Sequence, residues 1–113
     1  GILRPRDIDA HWLQRGLSKY YDDANECARI AEEVLSTLAV RDERACENKL
    51  VMALGFEKFE FIKTVLRNRS AIYYCTRLRQ AQSDEEREAI EEEMRKDVDF
   101  GGPDILAALG QSE

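Results

Sequence analysis

His11 is the one histidine of the chain, and general acid–base chemistry would need a carboxylate or a nucleophile held against it. Asp7 stands four residues earlier, one helical turn away, so a pair is geometrically allowed. The competing and preferred reading is a partly exposed surface histidine. The carboxylate runs Glu32-Glu33 and Glu91-Glu92-Glu93 offer oxygens for a divalent cation. Such ions need ligands converging on a turn, whereas adjacent glutamates on a helix diverge, so both runs read as solvated faces. Cys27, Cys46 and Cys75 are odd in number and unpaired in spacing, which argues against a disulfide framework or a zinc site. At apolar helical positions they read as buried, reduced thiols. No phosphate loop, glycine fingerprint or nucleophile elbow occurs. The sequence therefore offers no catalytic residue, no cofactor site and no metal site, and the fragment reads as non-enzymatic.

Two charged constellations remain, and both suit binding. Lys63, Arg67, Arg69, Arg77 and Arg79 fall between Ile62 and Gln80 with no acid among them, and Tyr73 and Tyr74 are interleaved. Arginines on phosphates with a tyrosine stacked on a base would make a weak nucleic-acid strip. The competing reading pairs these bases with nearby acids and places the tyrosines in the core. The second constellation is acidic. The net charge is −6, and residues 84–113 hold eleven acids against three bases. Phosphate attraction dominates nucleic-acid affinity, so this excess disfavours tight binding by the domain as a whole. Glu85, Glu88 and Glu92 are the candidate protein-contact residues on this acidic segment, where rim charges set association rate and salt dependence.

The elements that position these residues are helical. A chain of 113 residues, 43% hydrophobic and 35% charged, has the size and balance of one folded domain. No run approaches the ~20 apolar residues of a membrane span, and the N-terminus lacks the apolar centre of a signal peptide. The most apolar stretch runs from Cys46 to Leu78, with three- and four-residue steps that put Cys46, Leu50, Leu54, Ile62, Val65, Leu66, Tyr74, Cys75 and Leu78 on helix faces. Gly55 predicts a left-handed helix stop, with Phe56 closing the cap. A further break is expected near Asn68, because one rod of about 25 residues is long for a compact domain.

Around this stretch, Asp7, Asp23, Asp42 and Ser83 are candidate N-caps, and the pairs Asp23/Glu26 and Ser83/Glu86 imitate capping boxes. Trp12 lies on the apolar stripe of the first helix, and Gly16 marks a close helix crossing. The acidic helix offers only Ala89, Ile90, Met94 and Val98 as an apolar edge, so it should attach by a narrow seam. Gly102-Pro103 suits the start of a short last helix docked by Ile105, Leu106 and Leu109. The expectation is an all-α, compact bundle of about five helices with an acidic C-terminal helix and a short terminal turn. Its predicted organisation is a linker over 1–6, a helical domain over 7–99 and a tail over 100–113.

The blocks PRDIDAHWLQR (5–15), YYDDA (20–24), AEEVL (31–35), CENKLVMALGF (46–56), FEFIK (59–63), YCT (74–76) and AQS (81–83) resemble the PWI-like domain in the N-terminal region of the large spliceosomal RNA helicases with tandem helicase cassettes. The resemblance covers roughly residues 4–97. It departs from other PWI domains in lacking the Pro-Trp-Ile tripeptide, with His11-Trp12-Leu13 as the nearest counterpart, and in lacking a basic flank. It implies a nuclear protein that unwinds RNA with ATP during pre-mRNA splicing, by motifs that lie outside this chain. For the domain it implies a monomeric, non-catalytic docking module. The implied partners are other spliceosomal proteins or the helicase cassettes of the same protein, with no membrane contact and weak or no nucleic-acid contact. The alternative it leaves open is a weak, sequence-nonspecific nucleic-acid-binding domain.

Overall fold

The computed structural model describes residues 2–110, and among them every regular element is helical. After a 3-10 turn at Pro5–Asp7 come α1 (Trp12–Leu17), α2 (Ala24–Thr37) and α3 (Glu43–Leu54). A second 3-10 turn at Phe56–Lys58 leads into α4 (Phe59–Arg67), α5 (Arg69–Gln80), α6 (Asp84–Lys96) and α7 (Gly102–Gly110). The class is the expected all-α bundle. Its helices number seven among the described residues rather than about five: the expected break at Asn68 is present, and the terminal turn is a full helix.

The caps explain most boundaries. The Asp23 carboxylate accepts from the Asn25 amide at 2.8 Å, Asp42 from Ala45 at 2.9 Å, and the Ser83 hydroxyl from Glu86 at 3.1 Å. Each satisfies an amide that has no partner in the first helical turn. The Glu86 carboxylate reaches back, but to the Gln82 amide at 3.1 Å, one residue before the position a capping box uses. Asp7 is not the cap of α1. It lies in the 3-10 turn, and α1 starts five residues later, after Asp9 has accepted the His11 amide at 3.0 Å.

Gly55 stops α3 at positive φ, as expected, but at φ 97° and ψ 150°, outside the left-handed helical well. The chain leaves extended instead of curling into a closed cap. Phe56 is consequently 70% exposed and stacks on Phe59, rather than folding onto the end of α3. The break at Asn68 is present, with the residue at φ −109° and ψ 24°. Asn68 does not cap α5 with its side chain. Its Nδ2 donates to the Thr64 carbonyl, and its Oδ1 accepts the Leu3 amide at 2.9 Å, so the buried asparagine ties the entering segment to the bend.

The core gathers Leu13, Leu17, Cys27, Val34, Leu38, Cys46, Leu50, Ile62, Val65, Ile72 and Tyr74, drawn from α1 to α5 and the α2–α3 connection. Residues at the two margins join it: Ile8 is fully buried, and Phe100 and Ile105 are nearly so. Trp12 packs against this core and stacks with Phe61 at 6.3 Å. The Phe61 ring lies over Gly16, where an added Cβ would meet it at 2.6 Å, which is the close crossing the glycine signalled. The seam of α6 is narrower than expected. Met94 is buried and Ile90 half-buried, while Ala89 is exposed, and Val98 lies beyond the helix at 70% exposure.

Candidate interaction surfaces

The helices scatter the residues that could have done chemistry. His11 is exposed and makes no pair with Asp7, whose carboxylate accepts from Arg4 at 3.0 Å. Glu92 turns to Arg95 and Lys96, Glu93 turns to Arg77, and Glu91 faces a different cleft, so the acidic run diverges as its helical spacing requires. Among the described residues no group of three or more His, Cys, Asp or Glu is placed to hold a metal ion, and no helix is long and apolar enough to cross a membrane. Cys27, Cys46 and Cys75 are separately buried. Burial pushes the Cys75 thiol up to about 11 and also raises that of Cys46, so neither is primed as a nucleophile.

The five bases of the central stretch do not form one strip. Lys63 and Arg67 are exposed on α4, with the Lys63 ammonium 5.6 Å from the Phe59 ring centre. Arg69 is half-buried beyond the bend and donates to the Leu66 carbonyl at 3.2 Å. Arg77 is held in a two-pronged pair with Glu93, both bonds 2.9 Å, and its guanidinium lies 4.7 Å from the Tyr73 ring centre. Arg79 is exposed and faces away, toward a cleft shared with Arg4, Arg6 and Arg87. Of the interleaved tyrosines, Tyr74 is fully buried and Tyr73 half-buried. Glu85, Glu88 and Glu92 all lie exposed along α6.

One polar network escaped sequence reasoning. Arg41, in the α2–α3 connection, grips Asp97 with two bonds of 2.7 Å and lies 4.1 Å over the Phe100 ring. The buried Tyr74 hydroxyl donates to Asp97 and lies 3.4 Å from Glu93, which Arg77 holds. The Arg41 bond keeps the Asp97 carboxyl below its usual range, and the Arg77 bond does the same for Glu93. Burial, reinforced by Asp97, raises the Tyr74 phenol, so it stays a proton donor. Its partners lie tens of residues apart, so no spacing rule could have found it. The arrangement locks α6 to α5; it presents no reacting centre.

The surface also exposes large apolar side chains. Met52 on α3 is 86% exposed and Phe56 is 70% exposed four residues later, across the Gly55 stop. The sequence signal for this pair was only that Phe56 follows a glycine; its exposure depends on the direction in which the chain leaves Gly55.

A family described as the N-terminal helicase PWI domain matches residues 2–109. The human U5 small nuclear ribonucleoprotein 200 kDa helicase is 52% identical over 99 residues, which cover 87% of this chain and 5% of that protein. The Arabidopsis thaliana DExH-box ATP-dependent RNA helicase DExH12 is 46% identical over 112 residues, 96% of this chain and again 5% of the relative. The chain thus spans about a twentieth of the curated relatives it matches. Among solved structures, the PWI-like domain of Chaetomium thermophilum Brr2 superposes with a TM-score of 0.84 at 34% identity, covering 95% of this chain and 88% of that one. The match is to a helicase-associated domain of proteins named as RNA helicases, and it agrees with the absence of helicase motifs in the sequence. With its helical order, its seven-block resemblance and its superposition in agreement, the chain belongs to the N-terminal helicase PWI domain family.

Proposed function

We propose that this chain is a non-catalytic protein-docking module of a nuclear, spliceosomal RNA helicase that acts in pre-mRNA splicing. Its partners are other proteins of the splicing particle or the helicase cassettes of its own chain. The relatives' names, which join a small nuclear ribonucleoprotein to a helicase, support the setting. The observation that carries the docking role is the exposure of Met52 and Phe56, with Phe56 stacked on Phe59 at 5.6 Å. Aromatic and methionine side chains at the surface are typical anchors of protein interfaces.

The test is binding of purified particle proteins, one at a time, to the immobilised chain. At least one should be retained, and a double change of Met52→Ala and Phe56→Ala should weaken it by about 2 kcal/mol. Retention of none would end the docking reading. Charge reversal at Glu85, Glu88 and Glu92 should alter the association rate and its salt dependence more than the dissociation rate.

The second reading, weak nucleic-acid binding, is favoured only by exposed Lys63 and Arg67. Against it stands Arg77, whose guanidinium is committed to Glu93. A low-salt band shift with single-stranded RNA should show no retention that depends on Lys63 and Arg67. RNA retained by the native chain and released by Lys63→Glu with Arg67→Glu would reverse the preference.

A further inference from the structure

An open cleft of about 900 Å³ lies where the Pro5–Asp7 turn, the end of α5, the start of α6 and the last turn of α7 meet. Leu78 and Leu109 contribute apolar surface, and arginines line it from three different elements. Arg4 is paired with Asp7 at 3.0 Å. Arg6, Arg79 and Arg87 are exposed and have no carboxylate within 4.0 Å among the described residues. Elsewhere Arg15, Arg41, Arg77 and Arg95 are each held by an acid, and Arg44, Arg67 and Arg69, which are not, lie outside this cleft. In a chain of net charge −6, three unpaired arginines around one concavity are a local inversion of the overall field.

We propose that this cleft holds an extended acidic segment of a protein partner, with spaced carboxylates on the three arginines and an aliphatic side chain against Leu78. The proposal rests on the docking reading above and gives it a second surface with a stated chemistry. Guanidinium forks match carboxylates two bonds at a time. A polynucleotide fits less well for three reasons. Asp84 and Glu91 also line the cleft and would face a continuous phosphate chain; a peptide can skip those positions. No aromatic ring lines it for a base to stack on. The molecule as a whole, at net charge −6, repels a chain with a charge on every unit more than a peptide whose carboxylates are spaced.

The experiment uses a fluorescein-labelled peptide of repeating Glu-Leu-Gly, read by anisotropy and by amide shifts in the labelled chain. The peptide should bind saturably at low salt and shift the amides of Arg6, Leu78, Arg79 and Ala81. Arg6→Glu, Arg79→Glu and Arg87→Glu together should weaken it about tenfold or more, as should raised salt. The three glutamine replacements, which add no repulsion, should weaken it in the same direction and serve if the charge-reversed chain loses its helical circular dichroism. Absence of saturable binding to the folded chain, or shifts confined to other faces, would overturn the proposal. So would an oligouridylate that occupies the same residues more tightly than the peptide. Met52→Ala with Phe56→Ala should leave peptide affinity unchanged. Loss of the cleft site with partner retention through Met52 and Phe56 intact would therefore reject the cleft alone and spare the docking reading.

Discussion

Thr76 shows how much one side chain can cost in a helical core. It is 2% exposed on α5, and its hydroxyl has no hydrogen-bond partner. A buried hydroxyl without a partner has lost its water for nothing in return, a penalty of about 1–3 kcal/mol. Valine has the same shape without the oxygen. Thr76→Val should therefore raise unfolding stability by about 1 kcal/mol, read as a higher urea midpoint at unchanged slope. A lower midpoint would mean that the hydroxyl is satisfied in solution. The contrast with Tyr74 is instructive: it is buried as deeply, yet its hydroxyl reaches Asp97, so its polar atom locks helices together.

At the scale of elements, the critical joint is between α6 and α7. Gly102 opens α7 with its amide bonded to the Asp97 carbonyl at 2.9 Å. A Cβ placed there would lie 2.1 Å from the Met94 carbonyl oxygen. That neighbour is backbone, held in the last turn of α6 above the fully buried Met94, and cannot swing aside. Gly102→Ala should cost about 1–3 kcal/mol through overpacking. Hydrogen exchange should rise first in α7, because α7 loses its seat on α6. Exchange increased uniformly over all helices would place the strain elsewhere. Gly55 fails differently, since its φ of 97° and ψ of 150° lie where a side chain clashes with its own backbone.

For the molecule as a whole, acid should loosen α6. Asp97 and Glu93 titrate lower in the folded chain than when unfolded, held down by Arg41 and Arg77. Their stabilisation is complete above the unfolded carboxylate range of about 4 and is lost as pH falls through their lower folded values. Stability should thus fall steadily below about pH 4.5. Asp97→Asn with Glu93→Gln should lower stability at pH 7 and flatten that acid limb. An acid limb unchanged by the double change would assign the dependence to other carboxylates.

Most helices, the caps at Asp23, Asp42 and Ser83 and most of the core were legible from spacing, because helix formation and capping act between residues two to four apart, and the bend at Asn68 from the length of the apolar run. The resemblance carried by the quoted blocks added the family and the setting. What spacing could not reach were relations set by how the helices pack: Arg41 on Asp97, 56 residues away, the outward turn of Phe56, and the separation of Arg79 from Lys63 and Arg67 into a different cleft. Periodicity says which face of a helix is apolar, yet not the angle at which two faces meet. The backbone angles taken at Gly55 and Asn68 decide which distant side chains are neighbours, and that choice belongs to the assembled core.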